Sequence, residues 1–363
     1  MKVVTTTGRD GGTRRQFLAG IAALGSGVVF QNRELAGQTP PPRRVDVHHH
    51  LTSPGWTAAL AAAGLSAGNR NAWTPARSIE SMDEAGVATA LLSTGQTGGA
   101  FTPARMAQRG VSEADGLALT RRLARDSNEY GAKMGADHRG RFGLFASVPL
   151  PDVDASLREV EYGLDVLKAD GIGLFTSYGD KWLGDSTFAP LFEELNRRKA
   201  VVYTPPTTAH CGVDLIRTLD EAPIEYQTDT SRAIASLLVT GTAARYPDVR
   251  FIFSHAGGTM PFLIYRFDRP NLAGDQSQTV MPNGPLYELR RFYYDTAQSA
   301  HPAAMLALSK VVPVSQIVFG SDYPIHSMLS NVRGLQESGV FSAEELRAID
   351  RGNIGTLLPK YNP

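Results

Sequence analysis

Cysteine is nearly absent: Cys211 stands alone in 363 residues. An internal disulfide and a cysteine-rich metal cluster are therefore excluded, so any bound metal must sit on His, Asp or Glu. Net charge is missing as well, because 36 basic side chains cancel 36 acidic ones. Without an overall field, nucleic acid and anionic membranes are poor partners, and a neutral small molecule or a locally held anion fits better. There is no internal repeat and no block of like charge. The mostly apolar stretch from Ala19 to Phe30 is too short to span a bilayer comfortably, so no stable membrane span is expected. What remains is an ordinary balance of 42% hydrophobic and 20% charged residues, enough for a sizeable soluble core.

The N-terminus carries Thr13, Arg14, Arg15, Gln16, Phe17 and Leu18 just before that apolar stretch. The pattern resembles a twin-arginine signal, which implies export of folded protein to the periplasm or beyond; a membrane anchor or a basic tail is the plainer alternative. Cleavage is expected near Ala36 or Gly37, and Pro40, Pro41 and Pro42 form a stiff lead. Residues 1–42 are thus set apart from one domain spanning residues 43–363.

From Arg44 onward, short β-branched apolar runs alternate with helical stretches, as in repeated β-α units around a parallel sheet. Eight runs are found: Val45–His50, Ala88–Ser93, Phe142–Val148, Ile172–Thr176, Ala200–Thr204, Arg250–Ser254, Phe292–Thr296 and Ile317–Gly320. Helices are expected at Ala155–Lys168, Phe188–Arg198 and Met305–Lys310. The pattern predicts an α/β protein, a (β/α)8 TIM barrel. An open doubly wound sheet has fewer strands and a glycine fingerprint after the first strand, whereas here that strand ends in histidines. Three connections, Thr97–Ser112, Thr207–Thr228 and Gly274–Pro285, are long enough to cover an active site.

Val45-Asp46-Val47-His48-His49-His50 places His48 and His50 at alternate strand positions, hence on one face. At the C-terminal end of a barrel strand, two inward imidazoles suit a divalent cation, while His49 points to the helix layer. Phe251–Gly258 ends an apolar run in His255, and Ile317–Pro324 ends another in Asp322. In one parallel barrel all three ends converge on one rim, where barrel enzymes place their active sites. Alone, His255 reads as a structural histidine and Asp322 as a helix cap; together with the first strand they read as a site.

The strings Val45–His50, Phe253–Gly258 and Gly320–Pro324, with Tyr294-Asp295-Thr296-Ala297 between them, resemble the amidohydrolase-related family. That family includes aminocarboxymuconate-semialdehyde and 6-methylsalicylate decarboxylases. The resemblance covers the chain after Arg44 and implies a metal-dependent (β/α)8 barrel holding one divalent metal, commonly zinc, with manganese or iron as alternatives. It also implies His48, His50 and Asp322 as metal ligands, His255 beside the metal-bound water or substrate, and a homodimer. One departure stands out, because the family's fifth strand ends in His-Pro and this chain has Pro205 in the histidine's place. A three-ligand site of two histidines and one carboxylate is the first expectation. The alternatives are that His210 folds back, that His255 joins the ligands, or that metal binding is weak.

A metal so held would lower the pKa of a bound water or grip a substrate carboxylate, with His255 moving a proton. The expected activity is a metal-dependent carboxy-lyase acting on a small aromatic or conjugated carboxylic acid, with Asp322 as a candidate proton donor. The alternatives are a hydrolase of amides, esters or lactones and a non-catalytic barrel. Trp73, Tyr178, Trp182 and Arg266 are candidates to stack on a ring or pair with a carboxylate, set against ordinary packing or a surface charge. The stretch Phe175–Asp185 resembles the fourth-strand loop of aromatic-acid decarboxylases more than that of lactonases, which favours decarboxylation.

Overall fold

After its first strand the chain must turn back before it can add a second parallel strand, and Thr74-Pro75 starts that return. In a computed structural model, which describes residues 44–65, 73–95, 101, 106, 108–267 and 280–362, β1 (Arg44–Leu51) is followed by α1 (Pro54–Ala62) and α2 (Pro75–Ala85). Thr74 caps α2 by accepting from Arg77 N at 3.2 Å, and Pro75 needs no helical N–H partner. Gly86, at φ 69°, ends the helix and releases the chain into β2 (Val87–Thr94).

The same return recurs round the sheet through β3 (Phe142–Ser147), β4 (Gly171–Gly173), β5 (Val201–Thr204), β6 (Arg250–Phe253), β7 (Tyr293–Asp295) and β8 (Ile317–Val318). The eight strands pair in sequence order, and every pair is parallel. Main-chain bonds bring the end of β8 back to β1: Val47 N donates to Phe319 O at 3.0 Å, and Asp322 N donates to His48 O at 2.8 Å. A parallel bridge between His49 and Tyr323 extends that seam. All eight expected strands are present, in the architecture of a (β/α)8 barrel. The fourth is shorter than expected, because the chain leaves it for a small antiparallel hairpin pairing Ser177–Tyr178 with Lys181–Trp182.

The helices follow their apolar spacing. Beyond β2 the longest, α3 (Glu113–Asp137), is capped by Ser112. The expected helix over 155–168 is α4 (Val153–Glu161), and it continues as a wider π-helical turn at Tyr162–Val166. Further on come α5 (Ala189–Arg197), α6 (Gln227–Val239), α7 (Met260–Phe267) and α8 (Pro302–Val311).

Side chains alternate between two cores, as strand geometry requires. Leu92, Leu144, Ile172, Val202, Phe251, Phe253 and Phe319 pack outward against the helices. Val45, Val47, Leu91, Phe145, Val201, Tyr203, Ile252 and Val318 fill the barrel and meet Ile354 and Tyr361 from the C-terminal segment. The barrel is a packed body, and chemistry is left to its mouth. The first 43 residues, with the twin-arginine stretch, lie outside the described residues, as do parts of two expected covering segments, 97–112 and 274–285. Among the described residues no helix is long and apolar enough to cross a membrane.

Candidate metal centre at the barrel mouth

Alternation extended upward from Val45 and Val47 would aim His49 into the barrel. The structure aims His48 and His50 there, because β1 carries a bulge: Asp46 pairs with Ala90 but His49 pairs with Leu92, so β1 gains one residue on β2. Asp46 holds the bulge from within. Its carboxylate accepts from His48 N at 3.0 Å and from Ser321 N at 2.9 Å, contacts His49 Nδ1 at 3.2 Å, and accepts from the Ser321 hydroxyl. His49 faces the helix layer, with its Nε2 2.7 Å from the Ser78 hydroxyl of α2 and its ring stacked on Tyr323.

His255 and Asp322 also depart from strand geometry, with φ of 52° and 64°. A left-handed backbone is costly for non-glycine residues and persists where surrounding contacts impose it. Asp295, at the end of β7, imposes part of it: its Oδ1 accepts from His255 N at 2.8 Å and from Ala297 N at 3.0 Å. Its Oδ2 lies 2.8 Å from His48 Nδ1. Gly320 lets these chains approach, since a Cβ there would come within 2.9 Å of the Cβ atoms of both His48 and Asp295.

The result is a buried triangle. His48 Nε2 lies 3.1 Å from His50 Nε2 and 3.2 Å from Asp322 Oδ1, and His50 Nε2 lies 2.9 Å from the same oxygen. The edges are close to the roughly 3.3 Å separating tetrahedral ligands with arms of about 2.0–2.1 Å. Asp322 Oδ1 is buried and makes no hydrogen bond of acceptable geometry, as suits an oxygen whose partner is a cation. His48 Nδ1 faces the Asp295 carboxylate, an acceptor, so its proton sits there and the Nε2 lone pair is left for a metal. The donor set fits a divalent cation.

His255 stands beside the triangle. Its Nδ1 donates to Ala297 O at 2.9 Å, which turns Nε2 toward Asp322 Oδ2 at 3.8 Å. His48, His255 and Asp322 each offer a ligand atom within 4.8 Å of the others, so His255 can enter the ligand set. The Gln298 amide donates to Asp322 Oδ2.

Electrostatics agree with a cationic centre. Burial opposes a charge on His48, but the carboxylates of Asp295 and Asp322 outweigh it and push its pKa up to about 10. Burial likewise opposes ionisation of Asp322, yet His48 and His50 hold its pKa well below the usual carboxylate value. Burial, and then His48, lower the pKa of His255. The carboxylates favour positive charge between them, whether a proton or a metal supplies it.

The other candidates lie elsewhere. Pro205 is buried and two residues beyond the inward Tyr203, so the fifth strand brings no side-chain ligand. His210 sits exposed on a short 3-10 turn and does not fold back. Trp73 is buried in the strand-helix layer against Tyr130, and its Nε1 has no partner. Arg266 is exposed on α7. Trp182 donates its Nε1 to Asp229 at 2.7 Å and serves to tie down the hairpin. Of the substrate-contact candidates, only Tyr178 faces a cavity at the mouth. Sequence reasoning passed over Asp46, Gln298 and Tyr203, and it gave Asp295 no role. The Tyr203 hydroxyl is buried without a partner, and its ring centroid is 5.3 Å from that of His48.

A parallel eight-stranded barrel with two histidines of the first strand, a histidine after the sixth and an aspartate after the eighth at one mouth defines a class of metal-binding barrels. The chain belongs to the amidohydrolase family, whose model it matches over residues 45–360. It is 35% identical over 336 residues to "Decarboxylase yanB" of Aspergillus niger, which covers 88% of each chain. It is 34% identical over 334 residues to the 6-methylsalicylic acid decarboxylase of Penicillium expansum, covering 87% of this chain and 96% of that one. Among solved structures, it superposes with a TM-score of 0.73 and 17% identity on a dihydroxybenzoic acid decarboxylase from Polaromonas sp. JS666, solved with bound manganese and 2-nitroresorcinol. The superposition covers 88% of this chain and 98% of that one.

Proposed function

We propose that this chain is a metal-dependent carboxy-lyase that removes carbon dioxide from a small aromatic acid. The observation that carries the reading is the buried His48–His50–Asp322 triangle with His255 beside it, in a chain that aligns almost end to end with proteins named as decarboxylases. His48, His50 and Asp322 hold one divalent cation. Zinc is the first choice for two imidazoles and a carboxylate, and manganese, as in the Polaromonas structure, is the alternative. Such a cation supplies charge neutralisation for the substrate's carboxylate and the oxygen next to it.

The chain's own groups manage the proton. When the bond between ring carbon and carboxyl carbon breaks, carbon dioxide leaves and the ring carbon takes a proton in its place. That proton is assigned to the His255–Asp322 pair: His48 and His50 favour the ionised Asp322, so it would carry the proton only in passing, and its Oδ2 lies 3.8 Å from His255 Nε2. The bond to Ala297 O fixes His255 with Nε2 toward Asp322, so the imidazole can pass a proton without turning.

The test incubates purified, metal-loaded protein with hydroxybenzoates and with simple lactones. Release of carbon dioxide with the matching phenol is expected; lactone opening alone would favour a hydrolase. A non-catalytic barrel rests on Pro205, but the triangle forms without help from the fifth strand. Export is proposed from Arg14-Arg15 and the apolar stretch that follows, and substituting both arginines by lysine should retain the protein inside the cell. A homodimer is proposed from the family resemblance and is tested by light scattering.

A further inference from the structure

Residues 295–298, where the chain leaves β7, touch three groups of the metal centre. Asp295 faces His48 Nδ1, Ala297 O accepts from His255 Nδ1, and the Gln298 amide donates to Asp322 Oδ2. The last contact is the least expected, because Gln298 is exposed while Asp322 is buried. Gln298 is the third residue of a turn in which Ser299 N donates to Thr296 O at 3.0 Å, and its φ is 48°. Glycine or asparagine is usual at such a position, since a larger side chain strains the backbone. A strained residue kept in place by its surroundings points to a use for its side chain. That use is visible in the two oxygens of Asp322. Oδ1 lies 3.2 Å from His48 Nε2 and 2.9 Å from His50 Nε2 and makes no hydrogen bond of acceptable geometry. Oδ2 is turned to Gln298, with His255 Nε2 standing off at 3.8 Å. A metal-binding carboxylate is ionised and can only accept, so the amide presents its NH2 end.

We propose that Gln298 is a positioning residue: it keeps Asp322 a one-oxygen ligand and so leaves a coordination position of the cation open for the substrate. The inference rests on the metal-centre part of the carboxy-lyase reading and not on the loss of carbon dioxide. A catalytic zinc site combines three protein ligand atoms with one free position. The Nε2 atoms of His48 and His50 and Oδ1 of Asp322 supply the three. A carboxylate can also bind a cation through both oxygens. Oδ2, once released from the amide, would then fill the position that the substrate needs.

The test compares the wild type with Gln298→Leu and Gln298→Gly, each loaded with cobalt(II) as a visible stand-in for zinc. Leucine fills the same volume without a donor, and glycine suits the turn without a side chain. Azide, a small anion that binds at an open metal position, is titrated and followed by the visible spectrum, and crystals of the loaded proteins give the distances from both Asp322 oxygens to the metal. Both variants are expected to retain the metal, to bring both oxygens onto it, and to bind azide about tenfold or more less tightly than the wild type. Those shifts in a protein that decarboxylates no acid would uphold the positioning role and overturn the lyase reading. Equal azide affinity in all three proteins would overturn the proposal. So would a wild-type affinity in one variant alone, which would assign Gln298 to packing or to the turn, or loss of the metal from either variant. A wild-type crystal with both oxygens on the cation would overturn it and leave the ligand triangle standing, whereas a metal bound away from the triangle would overturn both.

Discussion

The two halves of the barrel mouth are built from different chemistry. Strands β1, β6, β7 and β8 deliver His48, His50, His255, Asp295 and Asp322, all buried and interlocked. Strands β2 to β5 deliver Thr94, Ser147 and Pro205, and Phe175 lies just past β4; none is charged. The difference teaches a division of labour. One half holds charge in a rigid polar network, where removing a partner strands another buried group. The other half carries uncharged side chains, apolar for the most part, that bind chiefly by shape and by exclusion of water.

The largest expected effect comes from breaking the charged half. Asp322→Ala should reduce bound metal to background by elemental analysis and lower decarboxylation by about a thousandfold or more, an effect of roughly 4 kcal/mol. His50→Ala should do the same, and a variant with full metal content would remove His50 from the ligand set. Asp295→Asn keeps the shape but weakens the group that fixes the His48 tautomer, so metal affinity should fall by about 10- to 100-fold in a chelator competition.

The apolar half gives smaller effects. Pro205→His places an imidazole on the inward face two residues beyond Tyr203. It should raise metal affinity by about tenfold if that strand end still aims at the cation, and unchanged affinity would show that it does not. Tyr203→Phe removes a buried hydroxyl without a partner and should stabilise the apo-protein by about 1 kcal/mol in a denaturant titration. A loss of stability would reveal a bond that the hydroxyl already makes.

Much of the charged half was legible in the sequence, but partly for a reason the sequence does not display. The alternate spacing of His48 and His50 places them on one face, yet the same alternation from Val45 would point His49 inward. The bulge between Asp46 and His49 resolves the conflict, and its support comes from Ser321, far along the chain. His255 and Asp322 were legible as strand-end residues, while the left-handed backbone that aims them was not, because it is imposed by Asp295 and by the seam between β8 and β1. The apolar half was hardly legible. Its walls come from α1, α3 and three strand ends, and residues such as Leu123 or Val148 look like any other core positions. Aromatic and basic residues near predicted loops were a poor guide, since Trp73 went into the strand-helix layer and Arg266 to the surface.

The most direct test of the account is a crystal structure of the metal-loaded protein with anomalous data collected at the metal's absorption edge. One anomalous peak is predicted within about 2.0–2.3 Å of His48 Nε2, His50 Nε2 and an Asp322 oxygen. A peak elsewhere, or fully loaded protein with no peak at these three side chains, would contradict it.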